Sequence, residues 1–213
     1  MTDAHVKKPD VPDVLYRGFK VLEHARAFVD EGIIRFGRLD MYRNLEDPHR
    51  RDPEEGIARL RMPMTDSQDV ADVISTECKG RNWTYVLRCS AADQGYVASK
   101  FGRYVVRINN PGKLIADIRD HLSSNPLVPN PSVDPRWVTY DRGAAATRSL
   151  DADELLTLSY SQKSASFVDD QEFRIAILSL LSREGPAADP IGAWAFVSVE
   201  LHRRLSYCDL LED

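Results

Sequence analysis

The stretch Glu172-Phe173-Arg174-Ile175-Ala176-Ile177-Leu178-Ser179-Leu180-Leu181 decides the fold. A short apolar run with acids at its mouth and Gly185 and Pro186 beyond it reads as a buried strand. A second strong run lies at 193–201, and 182–192, with Gly185, Pro186 and Pro190, reads as a long hairpin joining the two. Working back along the chain, strand patterns stand at 136–140, 103–108, 83–89, 57–62, 33–37 and 14–19. Helical spacing covers 21–31 through Val21, Leu22, Ala25, Phe28 and Val29, and Gly32 is its natural stop. Pro111 opens a helix through His121, with Leu114, Ile115, Ile118 and Leu122 on one face. Residues 94–101 offer one or two further turns, the proline-rich stretch to Pro135 ends the Pro111 helix, and 141–165 is mixed. Residues 63–82 are polar and expected to hold one short helix. Many strands and few helices predict an α+β domain, with a mixed, largely antiparallel sheet and two or three helices. Residues 1–13 read as a flexible arm, and 14–213 as one domain.

Composition narrows the function classes. The 213 residues are 43% apolar and 29% charged, a mix that suits a folded soluble protein. Net charge is −5, yet 21 arginines accompany 7 lysines. Arginine is the better residue for bidentate carboxylate or phosphate contacts, although a GC-rich genome gives the same surplus. A net acidic chain opposes a general nucleic-acid coat. No apolar run is long enough to span a membrane, and the start MTDAHVKKPDVPD carries no secretory h-region. Cys78, Cys89 and Cys208 are far apart and odd in number, so neither a disulfide framework nor a zinc site is expected. A cytoplasmic location is the expectation, with no membrane partner and no resident metal.

Four places could carry chemistry. The segment 42–56 holds Arg43, Glu46, Asp47, Arg50, Arg51, Asp52, Glu54 and Glu55. It reads as a solvated salt-bridged loop, as a wall offering arginines to an anion, or as a set of oxygen ligands for Mg²⁺. The second place runs from Lys163 to Arg174. If Asp170 and Glu172 lie in one strand they share a face, and two such carboxylates repel, raising one pKa to make an acid/base pair. The plain alternative pairs Glu172 with Arg174, which lies on that face, or with a neighbouring arginine. The third place is Tyr16-Arg17-Gly18, where an arginine beside a glycine can hold a phosphate. The fourth is Arg88-Cys89-Ser90, in which Cys89 reads as core more readily than as a nucleophile.

The order of these motifs resembles an uncharacterised bacterial domain-of-unknown-function family found in phage-defence, abortive-infection-like settings. Its members start with a Tyr-Lys/Arg strand and a short helix ending in glycine. The loop motif of that family is matched by Asn44-Leu45-Glu46-Asp47-Pro48, its central strand end by Arg88-Cys89-Ser90, and its late signature by Lys163-Ser164 and Asp170-Gln171-Glu172-Phe173-Arg174. Phe167 stands where the family has tryptophan, and Asp170 where it has the first Glu of Glu-x-Glu.

The layout is also similar, more distantly, to ADP-ribosyltransferases. That resemblance implies NAD as substrate, with a protein or nucleic acid as acceptor. It implies Arg17 and Gly18 at the NAD phosphates or ribose, with Arg43 a further cation. Ser90 or Tyr42 would sit at the nicotinamide ribose, Glu172 would be catalytic, and Asp170 would help to orient the acceptor. A fixed carboxylate stabilises the positive charge that develops as nicotinamide leaves. This reading requires Arg17, Tyr42, Ser90 and Glu172 to converge in one cleft, with Arg17 and Glu172 on one side of the sheet. Two other readings stand beside it. One is a non-enzymatic sensor that binds a nucleotide or a partner. The other is a metal-dependent nuclease or phosphohydrolase using Glu46, Asp47, Asp52 or Asp170 with Glu172, and Lys163.

Overall fold

The computed structural model describes residues 10–39, 42, 53, 55–63, 73–79, 84–125, 132–140, 152–178 and 196–211. Among the described residues ten strands and four α-helices alternate along the chain. Strand β1 is Leu15–Phe19, followed by helix α1 (Leu22–Arg26) and a π-helical turn, Ala27–Glu31. Gly32 ends that turn in the left-handed region at φ 68°. Strand β2 is Ile33–Arg38, β3 Ile57–Pro63, β4 Val73–Lys79 and β5 Thr84–Ser90. Helix α2 (Gln94–Phe101) starts where Asp93 accepts from the Tyr96 amide. Strand β6 is Tyr104–Ile108, and helix α3 (Pro111–Ser123) begins with Asn110 accepting from the Lys113 amide. Strand β7 is Ser132–Trp137, α4 Ala152–Ser161, β8 Glu172–Leu178, β9 Phe196–Glu200 and β10 Cys208–Leu211. A 3₁₀ helix, Ala165–Asp170, leads into β8.

Eight strands form one antiparallel sheet in an α+β fold. Strand β5 is its axis. One edge of β5 pairs along its full length with β8, from Thr84 opposite Leu178 to Ser90 opposite Glu172. Strand β7 continues the sheet beyond β8. The other edge is shared. Strand β2 takes Tyr85 and Val86, while β1 takes only Ser90, through Tyr16. The sheet therefore forks, with β1, β6 and β10 on one branch and β2 and β9 on the other. Residues 87–89 of β5 face the fork. Strands β3 and β4 form a separate hairpin that packs on α4.

Alternation along β5 and β8 gives the sheet two unlike faces. Leu87, Cys89, Phe173, Ile175 and Ile177 point to a main core with Phe28, Val29, Leu114, Ile115 and Ile118. The other face carries a small apolar cluster of Leu39, Val86, Tyr160 and Ala176, and beside it Arg88, Glu172 and Arg174.

Several expectations change. The late strands are no hairpin, because β8 pairs with β5 and β7 while β9 pairs with β2. Their connection, 182–192, lies outside the described residues. Residues 73–79, expected to be polar with one short helix, form β4, paired in register with β3 from Ile57–Lys79 to Pro63–Val73. Strand β7 starts inside the proline-rich stretch. Pro135 is tolerated because, among the described residues, β7 is paired only with β8, so its missing N–H interrupts no second ladder there. Helix α4 forms within residues read as mixed. Of the expected arm, residues 1–9 lie outside the described residues. The Asp10 carbonyl accepts from Trp137 Nε1 at 2.8 Å, and Val11 packs on the core, so this much of it is docked.

Phe173 is fully buried on β8 and meets the Trp137 ring edge-on at 5.3 Å. Phe173→Ala is expected to cost about 3–5 kcal/mol of stability, read from urea unfolding midpoints.

Candidate functional site

The site grows out of the fork. Residue pairs directly opposite in a sheet point the same way, and neighbours along a strand point opposite ways. Tyr16 pairs with Ser90, and Ser90 with Glu172, so these three share the charged face. Arg17 pairs with Val106 and so starts from the core face. This corrects the expectation that Arg17 and Glu172 lie on one side of the sheet. The Arg17 guanidinium turns back into the fork, where Nη1 donates to the Arg88 carbonyl at 3.1 Å and Nη2 to the Arg35 carbonyl at 3.2 Å. Arg88 sits on the stretch of β5 that neither β1 nor β2 pairs. Arg17 thus bridges β5 and β2 where the ladder is missing, with its charge 5.3 Å from the Phe19 ring centre and 6.0 Å from that of Phe28.

One pocket of about 490 Å³, measured out to its open mouth, lies over this fork. Tyr16, Arg17 and Gly18 of β1 line it, as do Arg88, Cys89 and Ser90 of β5. Phe101 at the end of α2 and Tyr42 form walls, and Asp170 and Glu172 border it from the entry to β8. The structure therefore brings together Arg17, Gly18, Tyr42, Ser90, Asp170 and Glu172. Arg43 lies outside the described residues, as do Glu46, Asp47, Asp52 and the 44–48 motif. Among the described residues no cluster of three His, Cys, Asp or Glu side chains is placed to hold a metal ion.

Two glycines shape the walls. A Cβ on Gly37 would come within 2.3 Å of the Tyr42 hydroxyl, so glycine lets that ring lie against β2. There the ring stacks on Arg88, whose guanidinium carbon is 4.5 Å from the ring centre. A Cβ on Gly18 would meet Phe101 Cβ at 2.9 Å, so glycine lets the end of α2 close on β1.

The charge arrangement on this face is unusual. Arg88 and Arg174 stand directly opposite across β5 and β8, and Arg136 is opposite Arg174 on β7. Like charges so placed repel. Glu172, two residues before Arg174 and on the same face, resolves the conflict. Its Oε1 accepts from Arg88 Nε and from Arg174 Nε, both at 2.7 Å. Its Oε2 accepts from Arg88 Nη2 at 3.1 Å and lies 2.9 Å from Lys163 Nζ. A carboxylate has about four acceptor positions, and all of these are filled. Arg174 commits at least four of its five N–H donors. Its Nη1 and Nη2 hold Glu55 at 2.6 and 3.0 Å, and Nη1 also donates to the Tyr160 carbonyl at 2.7 Å. Glu55, Arg174 and Lys163 are fully buried.

Asp170 does not continue the strand. It closes the 3₁₀ helix, and Gln171 follows in the left-handed region at φ 40°. Its carboxylate accepts from Lys163 at 3.1 Å and from Tyr96 Oη at 2.8 Å, and it pairs with Lys100. Its carbonyl accepts from Ser90 Oγ at 2.6 Å, while that Oγ accepts from the Ala92 amide at 3.0 Å. Ser90 thus locks the turn into β8.

The expected acid/base pair does not form. Burial acts to raise the Glu172 carboxyl, but Arg174, Arg88 and Lys163 more than offset it and hold the group well below its ordinary 4.5. Burial pushes the Cys89 thiol up to about 11, against the lowering influence of Arg17, so Cys89 is a poor nucleophile at neutral pH. The pairing of Glu172 with Arg174 and a second arginine is the plain alternative the sequence offered. The sequence names Arg88 and Glu55 only within the Arg88-Cys89-Ser90 strand end and the 42–56 segment, and it does not single out Lys100, Tyr96 or Phe101. Arg88 carries a readable signal, the one charge in the otherwise uncharged strand β5.

Comparison with family models, curated proteins and solved structures finds no match to this chain.

A depressed carboxyl stabilises the fold above its unfolded pKa and loses that contribution as pH falls through the folded value. Stability is therefore expected to hold above pH 4.5 and to fall below it as Glu172 gains its proton, read from urea midpoints across a pH series. Arg174→Met removes a buried charge partner from both Glu55 and Glu172 and is expected to cost about 3–5 kcal/mol at neutral pH in the same assay.

Proposed function

We propose that the chain is a recognition module that holds a small anionic ligand of nucleotide type, acting as a sensor in a defence setting of the kind its resemblance implies. The observation that carries this reading is the contrast between Glu172 and Arg88. The Glu172 carboxylate has all its acceptor positions filled by Arg88, Arg174 and Lys163. It has no lone pair left to orient a ribose hydroxyl, and its charge is already spent on buried cations. Arg88 borders the same pocket, and its Nη1 makes no hydrogen bond among the described residues. Tyr16, Tyr42 and Phe101 supply aromatic walls for a base or another planar group.

The second reading is an NAD-using ADP-ribosyltransferase or NAD hydrolase with a toxin-like role. In its favour, Arg17, Tyr42, Ser90 and Glu172 all border one pocket. Against it stand the start of Arg17 on the far side of the sheet and the neutralised state of Glu172. A metal-dependent nuclease or phosphohydrolase ranks last, because Asp170 and Glu172 are both occupied by lysine and arginine.

The experiment is a melting-temperature titration with AMP and with NAD, run beside chromatography for released nicotinamide. Binding is expected to stabilise the protein, by about 2.7 kcal/mol at a ligand concentration one hundred times Kd. Nicotinamide is expected to stay at the level of a protein-free control. Steady release of nicotinamide that is abolished by Glu172→Gln would overturn the recognition reading in favour of the enzyme.

A further inference from the structure

We infer that the ligand of this pocket is a phosphate monoester dianion, and that Arg88 is the residue that reads it, with Glu172 a positioning residue behind it. This inference rests on the recognition reading above and adds the charge class of the ligand.

The first argument is charge balance. The connected network on this face and the fork beside it contain five cations among the described residues: Arg17, Arg88, Lys100, Lys163 and Arg174. They contain three carboxylates: Glu55, Asp170 and Glu172. Arg17 pairs with no carboxylate among the described residues; its donors go to two backbone carbonyls. Among the described residues two positive charges are therefore unmatched, and charge that is partly buried is costly until matched. A terminal phosphate carries close to two negative charges at neutral pH, whereas a phosphodiester carries one.

The second argument is access. Lys163 and Arg174 are sealed at 0% exposure and bind Asp170, Glu172, Glu55 and the Tyr160 carbonyl within the network. The Arg88 side chain keeps 13% exposure. It gives Nε and Nη2 to Glu172, leaving the Nη1 edge for a ligand. Glu172 on one edge and the Tyr42 ring on the face fix the guanidinium plane before any ligand arrives. A fixed guanidinium fork matches phosphate oxygens in pairs, which a mobile lysine ammonium does not. Arg17 adds a second charge from the floor of the fork.

The test is isothermal titration of the wild-type chain with AMP, ribose 5-phosphate, 3′,5′-cyclic AMP, adenosine and NAD at pH 7.5. AMP and ribose 5-phosphate are expected to bind, with cyclic AMP and NAD at least tenfold weaker and adenosine weaker still. Arg88→Lys, which keeps the charge and loses the fork, is expected to weaken AMP at least tenfold and leave the residual cyclic AMP affinity nearly unchanged. Circular dichroism and the melting curve confirm that the variant folds. If it does not fold, the ranking of the five ligands on wild type decides alone. Cyclic AMP or NAD binding as tightly as AMP overturns the dianion inference and leaves the recognition reading standing. Equal loss of all ligands in a folded Arg88→Lys assigns Arg88 a structural role and overturns its part. Binding by none of the five overturns both this inference and the reading it rests on.

Discussion

The carboxylate of Glu172 is the constraint on which the rest of this structure depends. Antiparallel pairing of β5 with β8 sets Arg88 against Arg174, an arrangement that electrostatics alone would break. One acid placed two residues before Arg174 accepts from both guanidinium groups and from Lys163. Through these partners it fixes four further pieces of chain. Arg174 holds Glu55 at the start of the β3–β4 hairpin and the Tyr160 carbonyl of α4. Lys163 holds the 3₁₀ helix through Asp170. Arg88 holds the ring of Tyr42. A buried ion network of this extent is poor evidence for stability in itself, since apolar packing could replace it. What it provides is geometry, because every member has a directional partner and none can shift alone.

That geometry explains why the pocket sits where it does. The fork leaves a stretch of β5 without a strand partner on one edge. Arg17 reaches it from the core side and donates to β5 and to the β2 branch of the fork. The gap in the ladder thus becomes the floor of a pocket with cationic groups at its base. Its walls are aromatic, and two glycines allow them to approach: Gly37 under Tyr42, and Gly18 against Phe101.

The charged segment that begins at Tyr42 contributes at both of its described ends. Tyr42 lies on Arg88, and Glu55 grips Arg174. Both anchors belong to the pair of arginines that share Glu172. The segment is therefore tied to the same carboxylate twice, whatever path it takes between, and the pocket wall is coupled to the buried network behind it.

The sequence by itself determined most of the strands, the apolar face of α3, the stop at Gly32 and the α+β class, because these rest on local periodicity and local backbone preference. The two-residue alternation of a strand also puts Glu172 and Arg174 on one face. Only the tertiary structure decided what those residues meet. Register placed Arg88 opposite Arg174, and long-range packing brought Glu55 from 119 residues away. The fork let Arg17 reach the pocket from the far side of the sheet. Adjacent late strands looked like a hairpin because neighbours in sequence usually pair, yet β9 found its partner in β2. Asp170 and Glu172 looked like a repelling acid pair because their charges are written in the sequence. The cations that neutralise them are set by contacts between distant segments, and no local pattern encodes those.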